Sequence, residues 1–309
     1  MAGGDPGEAG GGPGAGCMTG DRNAYRRYDA AFLNAQYIAR DAVPAFGAYA
    51  KRWQELSAKA VEDLPCQLDI AYGDSAAEKL DIFPALDGGP APVLVFYHGG
   101  YWRSTDKSWY RFLARPFVER GVTVVFPDYG LCPSVTMDTI ADQCRRSFEW
   151  VWRNAASFGG DEARVFVSGH SAGGQIAGML LAADWSGLGS VSGFPIKGVT
   201  AVSGLFDLAP LRLTSLNEDL GMDEAAARRN SPIDHPLPAK IPPVVAAVGA
   251  LESDEFHRQS RLYADHVEAA GGDCVLLDVA GHHHYSILDA MANPRHPFGK
   301  MVLEQIGAA

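Results

Sequence analysis

The stretch of this chain whose residue types and spacing most plainly permit chemistry is Gly169-His170-Ser171-Ala172-Gly173. An apolar, β-branched run (Val165-Phe166-Val167-Ser168) precedes it, and the helix-compatible Gln175-Ile176-Ala177-Gly178-Met179-Leu180-Leu181 follows. This is the G-x-S-x-G spacing of a nucleophile held on a strand–turn–helix bend. On such a bend the serine sits in a strained backbone region with its hydroxyl projecting from the sheet edge. The residues two before and two after approach other backbone closely, so both must lack a Cβ. The helix that starts at the serine aims its first amides at the place where negative charge develops. The spacing therefore predicts that Ser171 is a catalytic nucleophile.

A serine hydroxyl reacts only when a base takes its proton, and the base needs a third group to orient it. Two later segments supply candidates. A run at Val244–Val248 ends in Gly249-Ala250-Leu251-Glu252-Ser253-Asp254-Glu255, and a run at Cys274–Val279 ends in Ala280-Gly281-His282-His283-His284-Tyr285. The acid lies among Glu252, Asp254 and Glu255. Acids at the start of a helix also stabilise its N-terminus, which suits Asp254 and Glu255. Glu252, still in the loop directly after the strand, is the preferred acid, with Asp254 second. Among the three histidines His284, beside Tyr285 and the final helical segment, is the preferred base. Adjacent histidines cannot all face one ion and no E-x-x-H partner is present, so no metal or other cofactor is expected. A third component follows the apolar run Val93–Tyr97. His98-Gly99-Gly100-Tyr101-Trp102 has the form of an HGGG-type oxyanion motif, with Tyr in place of the third glycine. Its donors are the amides of Gly99 and Gly100, with Tyr101 as an alternative, together with that of Ala172.

The elements that must position these groups are legible from periodicity. Alternating runs at Gln67–Tyr72 and Lys79–Phe83 predict antiparallel edge strands, and the wholly apolar Val93–Tyr97 predicts a buried central strand. Strands are expected at Val122–Phe126, Ile196–Val202, Val244–Val248 and Cys274–Val279. Helices are expected at Lys107–Arg120, Thr136–Ser157 and Glu255–Ala270. Strands and helices alternating at this rhythm indicate a mostly parallel sheet with helices on both faces, with the candidate residues at the carboxyl ends of its strands. Helical spacing over Asn23–Arg40 and Pro44–Val61 predicts an N-terminal helical extension, read as scaffold. Residues 1–22 are Gly-, Ala- and Pro-rich and cannot bury a core, so they read as a disordered tail before one domain at 23–309.

Composition narrows the classes. A chain that is 47% hydrophobic and 20% charged has the makings of a sizeable core. A net charge of −11 argues against nucleic acid or an anionic membrane as partner and leaves a small-molecule substrate. No apolar run approaches the roughly 18 residues of a membrane span. Five scattered cysteines with no C-x-x-C point to reduced thiols and a cytoplasmic setting. Self-association as a homodimer is left open by the sequence.

Taken together, His98-Gly99-Gly100-Tyr101-Trp102, Leu80-Asp81-Ile82-Phe83, Tyr129-Gly130-Leu131-Cys132-Pro133, Gly169-His170-Ser171-Ala172-Gly173-Gly174 and Glu255-Phe256-His257-Arg258-Gln259-Ser260 resemble the arylformamidase (kynurenine formamidase) branch of the α/β-hydrolases. The resemblance runs from about Asn34 to the C-terminus. It implies the α/β-hydrolase fold, a Ser–acid–His order along the chain, and hydrolysis of N-formyl-L-kynurenine to kynurenine and formate. It puts the acid on Glu252, where many animal members carry Asp, and the base on His284-Tyr285. A carboxylesterase for short acyl esters is the alternative. The aromatic set Tyr101, Trp102, Trp109, Tyr110 and Phe112 could wall an aryl leaving group, with Tyr101 and Trp102 as substrate-binding candidates. Arg103 is a candidate for a substrate carboxylate, though a solvated arginine is the simpler expectation.

Overall fold

Seven consecutive buried residues make the strand Ala91–Tyr97 the axis of the protein in its computed structural model, which describes residues 21–188 and 194–308. A strand apolar on both faces must be covered on both, and two separate hydrophobic clusters do this, one on each side of the sheet. The eight strands are β1 (Gln67–Ala71), β2 (Lys79–Phe83), β3 (Ala91–Tyr97), β4 (Thr123–Pro127), β5 (Gly160–His170), β6 (Ile196–Val202), β7 (Val244–Gly249) and β8 (Cys274–Val279). They lie in the order β1-β2-β4-β3-β5-β6-β7-β8. The pairs β1/β2 and β2/β4 are antiparallel and the remainder parallel, as the alternating and apolar patterns predict.

The N-terminal helices are α1 (Ala30–Tyr37), α2 (Ala39–Ala42) and α3 (Phe46–Asp63); then come α4 (Ala114–Val118), α5 (Met137–Asn154), α6 (Ala172–Ala182), α7 (Asn217–Leu220), α8 (Glu224–Arg229), α9 (Asp254–Ala269), α10 (Ile287–Met291) and α11 (Pro297–Ile306). The single helix expected over Asn23–Arg40 is broken into three pieces. Asp29 accepts a hydrogen bond from the Phe32 amide at 2.8 Å, so α1 starts at a side-chain cap after an isolated 3₁₀ turn. The helix expected over Lys107–Arg120 is likewise split into two 3₁₀ turns and the short α4. Its backbone is claimed by α3: the Ser57 hydroxyl donates to the Trp109 carbonyl (3.2 Å) and accepts from the Phe112 amide (3.0 Å). Tertiary bonds of this kind compete with the i→i−4 ladder.

The described cysteines Cys66, Cys132, Cys144 and Cys274 are free thiols. The glycine-rich start of the chain, residues 1–20 with Cys17, lies outside the described residues. Among the described residues no helix is long and apolar enough to cross a membrane.

The bend after β5 rests on missing side chains. A Cβ on Gly169 would stand 2.1 Å from the Gly173 carbonyl oxygen, and one on Gly173 would stand 1.9 Å from that of Tyr97. Both obstacles are backbone, so neither can swing aside. Gly173→Ala is therefore expected to destabilise the protein by more than about 3 kcal/mol or to prevent folding, read by urea denaturation. Gly47→Ala, at a glycine with open space around its Cβ position, serves as the control.

Candidate active site

Ser171 sits between β5 and α6 with φ 56° and ψ −116°, a conformation that L-residues rarely adopt and that this close-packed bend enforces. Its amide donates to the Val202 carbonyl at 2.8 Å, tying the bend to the neighbouring strand. The serine is 2% exposed, at the base of a cavity of about 160 Å³ that it shares with His284.

His284 follows β8 and is held by Glu252, which follows β7. The distance from Nδ1 to Glu252 Oε2 is 2.6 Å. A carboxylate accepts hydrogen bonds, so Nδ1 carries the proton and Nε2 is left as the basic nitrogen. The other oxygen, Oε1, accepts from the Ser203 hydroxyl (2.5 Å) and from the Gly249 amide (2.7 Å). The Glu252 side chain thus curls back over its own turn, which is how a residue one methylene longer than Asp fits here. Three hydrogen bonds thus fix this buried side chain.

The competing candidates take no part in the His284–Glu252 pair. Asp254 is the first residue of α9. Glu255 is fully buried against Arg258, which reaches both of its oxygens at 2.8 Å. His282 Nδ1 lies 2.9 Å from the Ser286 carbonyl, and His283 Nδ1 accepts from the amides of Tyr285 and Ser286. Of the three histidines, only His284 meets Glu252.

The loop after β3 turns through a series of left-handed residues, Gly100 (φ 105°), Tyr101 (φ 51°) and Trp102 (φ 56°). Gly100 and Tyr101 line the cavity. Gly99 stands behind it, its Cβ position 3.0 Å from the Tyr110 hydroxyl and from the His170 carbonyl. Among the described residues the amides of Gly100, Tyr101 and Ala172 donate to nothing. These three amides are thus free to receive a negatively charged oxygen, whereas Gly99 packs against Tyr110. The Tyr101 hydroxyl donates to the Tyr37 carbonyl at the end of α1, so its ring is part of the wall while its amide is left over.

The expectation for Trp102 is overturned. Its positive φ sends the indole into the core, fully buried, where Nε1 donates to Gln175 Oε1 at 3.0 Å. Phe112 is also core, stacked on Trp53 at 5.4 Å. Trp109 and Tyr110 do line the cavity. Burial pushes the Tyr110 phenol up to about 12, against a lowering by hydrogen bonds from the Gly99 backbone and Thr105. Arg103 reaches the cavity but is paired with Asp219. The N-terminal extension proves to be more than scaffold: Ile38, Arg40, Asp41 and Phe46 form part of the cavity wall. Hollows of about 490 and 510 Å³ elsewhere on the surface contain neither Ser171 nor His284, so size alone does not locate the site.

His170 was not distinguished by the sequence pattern, because the position between glycine and serine accepts many residues. In the structure its Nε2 donates to the His284 carbonyl at 2.7 Å, fixing the backbone of the base. Full burial, and then the neighbouring His284, hold its imidazole well below the ordinary histidine range, so it is neutral. Below about pH 6.5 the unfolded chain binds a proton at this residue that the folded chain refuses. Stability therefore falls on acidification through pH 6.5, by up to about 1.4 kcal/mol per pH unit from this group. His266, His283 and His296, also lowered, act in the same sense. His170→Gln keeps a donor without the titration, and urea unfolding at pH 5, 6 and 7 is expected to show a shallower acid loss in that variant.

Comparison with known proteins agrees with this geometry. Residues 94–288 match the α/β-hydrolase fold family model. The chain is 35% identical over 245 residues to the kynurenine formamidase of Danio rerio, covering 78% of this chain and 82% of that protein. It is 27% identical over 231 residues to that of Drosophila melanogaster, covering 72% and 76%. A crystal structure from silicibacter sp. tm1040, assigned provisionally as a thioesterase, superposes with a TM-score of 0.76 at 30% identity, covering 89% of this chain and 99% of that one. The Pyrobaculum calidifontis esterase shares the fold at a TM-score of 0.66 and 20% identity, covering 85% and 91%. On the strength of the sheet order, the bend at Ser171 and these relatives, the chain belongs to the α/β-hydrolases, as an arylformamidase-like hydrolase.

Proposed function

We propose that this hydrolase removes the formyl group from an aryl formamide, with N-formyl-L-kynurenine as substrate and L-kynurenine and formate as products, a step of tryptophan catabolism. The observation that carries the reading is the small, aromatic-walled cavity in which Ser171 and His284 meet Gly100 and Tyr101. At about 160 Å³ it falls below the roughly 300 Å³ at which drug-sized pockets begin, and it suits a compact acyl donor. Trp53, Trp109, Tyr110 and Tyr285 offer flat apolar faces to an aryl ring. The kynurenine formamidase relatives support the same substrate class.

In this reading Ser171 Oγ attacks the formyl carbon as His284 Nε2 takes the hydroxyl proton. The carbonyl oxygen becomes an oxyanion received by the amides of Gly100, Tyr101 and Ala172. The C–N bond then breaks, and His284 returns its proton to the departing aryl amine. A formyl ester on Ser171 remains. Water, deprotonated by His284, attacks it, and formate leaves as the proton passes back to Ser171. Glu252 holds the Nδ1 proton in place and stabilises the imidazolium that forms twice per turnover.

The second reading, a carboxylesterase for short acyl esters, draws support from the isoprenylcysteine α-carbonyl methylesterase relatives, one of them 34% identical over 140 residues. Acyl length separates the two readings. N-formylkynurenine is expected to be hydrolysed at a kcat/KM at least about 100-fold above its N-acetyl counterpart, since the wall beside the oxyanion donors must admit the added methyl. Equal rates across formyl, acetyl and butyryl donors would favour the esterase.

Ser171→Ala is expected to lower kcat by at least about 10⁴-fold, and Glu252→Gln by about 10⁴-fold through loss of the productive His284 tautomer. Both are measured by release of the aryl amine under saturating substrate. Retained turnover in Ser171→Ala would remove the serine from the mechanism.

A further inference from the structure

The cavity runs from buried to exposed. Ser171 and His284 are 2% and 4% exposed, whereas Arg40 and Asp41 of α2, which line the same cavity, are on the surface. A ligand whose acyl carbon lies at Ser171 therefore presents its far end to α2. With only about 160 Å³ inside, a substituent beyond the aryl ring must sit at that mouth.

The two residues of α2 at the mouth carry opposite charges, and among the described residues neither takes part in an ion pair. Arg103, the other arginine on the cavity, is already paired with Asp219. The Arg40 guanidinium lies over the Phe46 ring at 4.9 Å, and that ring packs on Tyr285 at 4.7 Å. Stacking fixes the face of a guanidinium and leaves its N–H edge for a bidentate carboxylate.

We propose that Arg40 and Asp41 form a subsite for the α-carboxylate and α-ammonium of an amino acid carried by the aryl leaving group. The subsite rests on the formamidase reading and deepens it: the enzyme selects the zwitterionic end of its substrate as well as the formyl end. Arg40 receives the carboxylate and Asp41 the ammonium, and the aromatic wall between them and Ser171 spans the aryl ketone.

Three substrates test this with purified full-length protein: N-formylkynurenine, its des-amino analogue 3-(2-formamidobenzoyl)propionate, and 2′-formamidoacetophenone, which lacks both charges. In Arg40→Gln the kcat/KM preference for N-formylkynurenine over formamidoacetophenone is expected to fall about tenfold, with the loss in KM, the size suited to one partly solvated charge pair. Arg40→Lys regains part of it. The Arg40→Gln penalty persists on the des-amino analogue, while the Asp41→Asn penalty seen on N-formylkynurenine vanishes there. An unchanged preference in Arg40→Gln, with all three substrates still hydrolysed, overturns the subsite and leaves the formamidase intact. If the wild-type enzyme hydrolyses none of the three, the formamidase reading falls and takes the subsite with it.

Discussion

The arrangement depends on backbone meeting backbone where β5 turns into α6. Gly173 lies so close to the Tyr97 carbonyl that no side chain fits between them. The same contact holds α6 against β3 and keeps Ser171 in a conformation it would otherwise leave. β3 is at once the buried axis of the sheet and the strand whose continuation supplies the donor loop. One contact therefore sets the position of Ser171 relative to the amides of Gly100 and Tyr101. Strain stored in the serine is tolerated because the surrounding strands, apolar on both faces, cannot relax without opening the core.

A second constraint ties the N-terminal helices to this centre. The Tyr37 hydroxyl donates to Glu255 Oε2 at 2.5 Å and accepts from Gln259 Nε2 at 2.9 Å, while Arg258 grips the same carboxylate. Gln259 Oε1 in turn receives the amides of Phe206 and Asp207. Arg22 closes the assembly on Asp234 (2.6 Å) and Asp207 (3.3 Å). Glu255 and Arg258 have no exposure at all, and removing one partner of such a pair leaves an uncompensated buried charge. The network thus fixes α1 in place, and through the Tyr37 carbonyl it reaches the Tyr101 hydroxyl. This explains why Glu255-Phe256-His257-Arg258-Gln259-Ser260 belongs to the resemblance although none of it joins Ser171, Glu252 and His284.

Much of this was legible because chemistry and spacing coincide. The glycines around Ser171 announce a backbone crowd, the apolar β3 announces a doubly covered strand, and Glu252 and His284 each follow a strand at the same sheet edge. What the sequence concealed was decided by tertiary contacts. Trp102 reads as a cavity aromatic until its positive φ and its bond to Gln175 turn it inward. The helix expected over Lys107–Arg120 is broken by Ser57, a residue fifty positions upstream whose hydroxyl has no sequence signature. His170 and Ser203 support His284 and Glu252 from behind, and each acts through a bond to a residue distant in the chain.

The departure from three glycines at Tyr101 links the two halves of the problem. A tyrosine at φ 51° is costlier than glycine, on the order of 1–3 kcal/mol, and it persists because it is partly buried against the core and its hydroxyl is anchored on Tyr37. A glycine in that place would leave the donor loop free to shift, whereas the anchored tyrosine makes its amide a fixed donor. The same residue lines the cavity that holds Ser171 and His284. In the proposed reaction, rigid charge stabilisation and a preference for the smallest acyl group would share a single origin. In that reading the buried network around Glu255 supports catalysis by holding the carbonyl to which the Tyr101 hydroxyl donates.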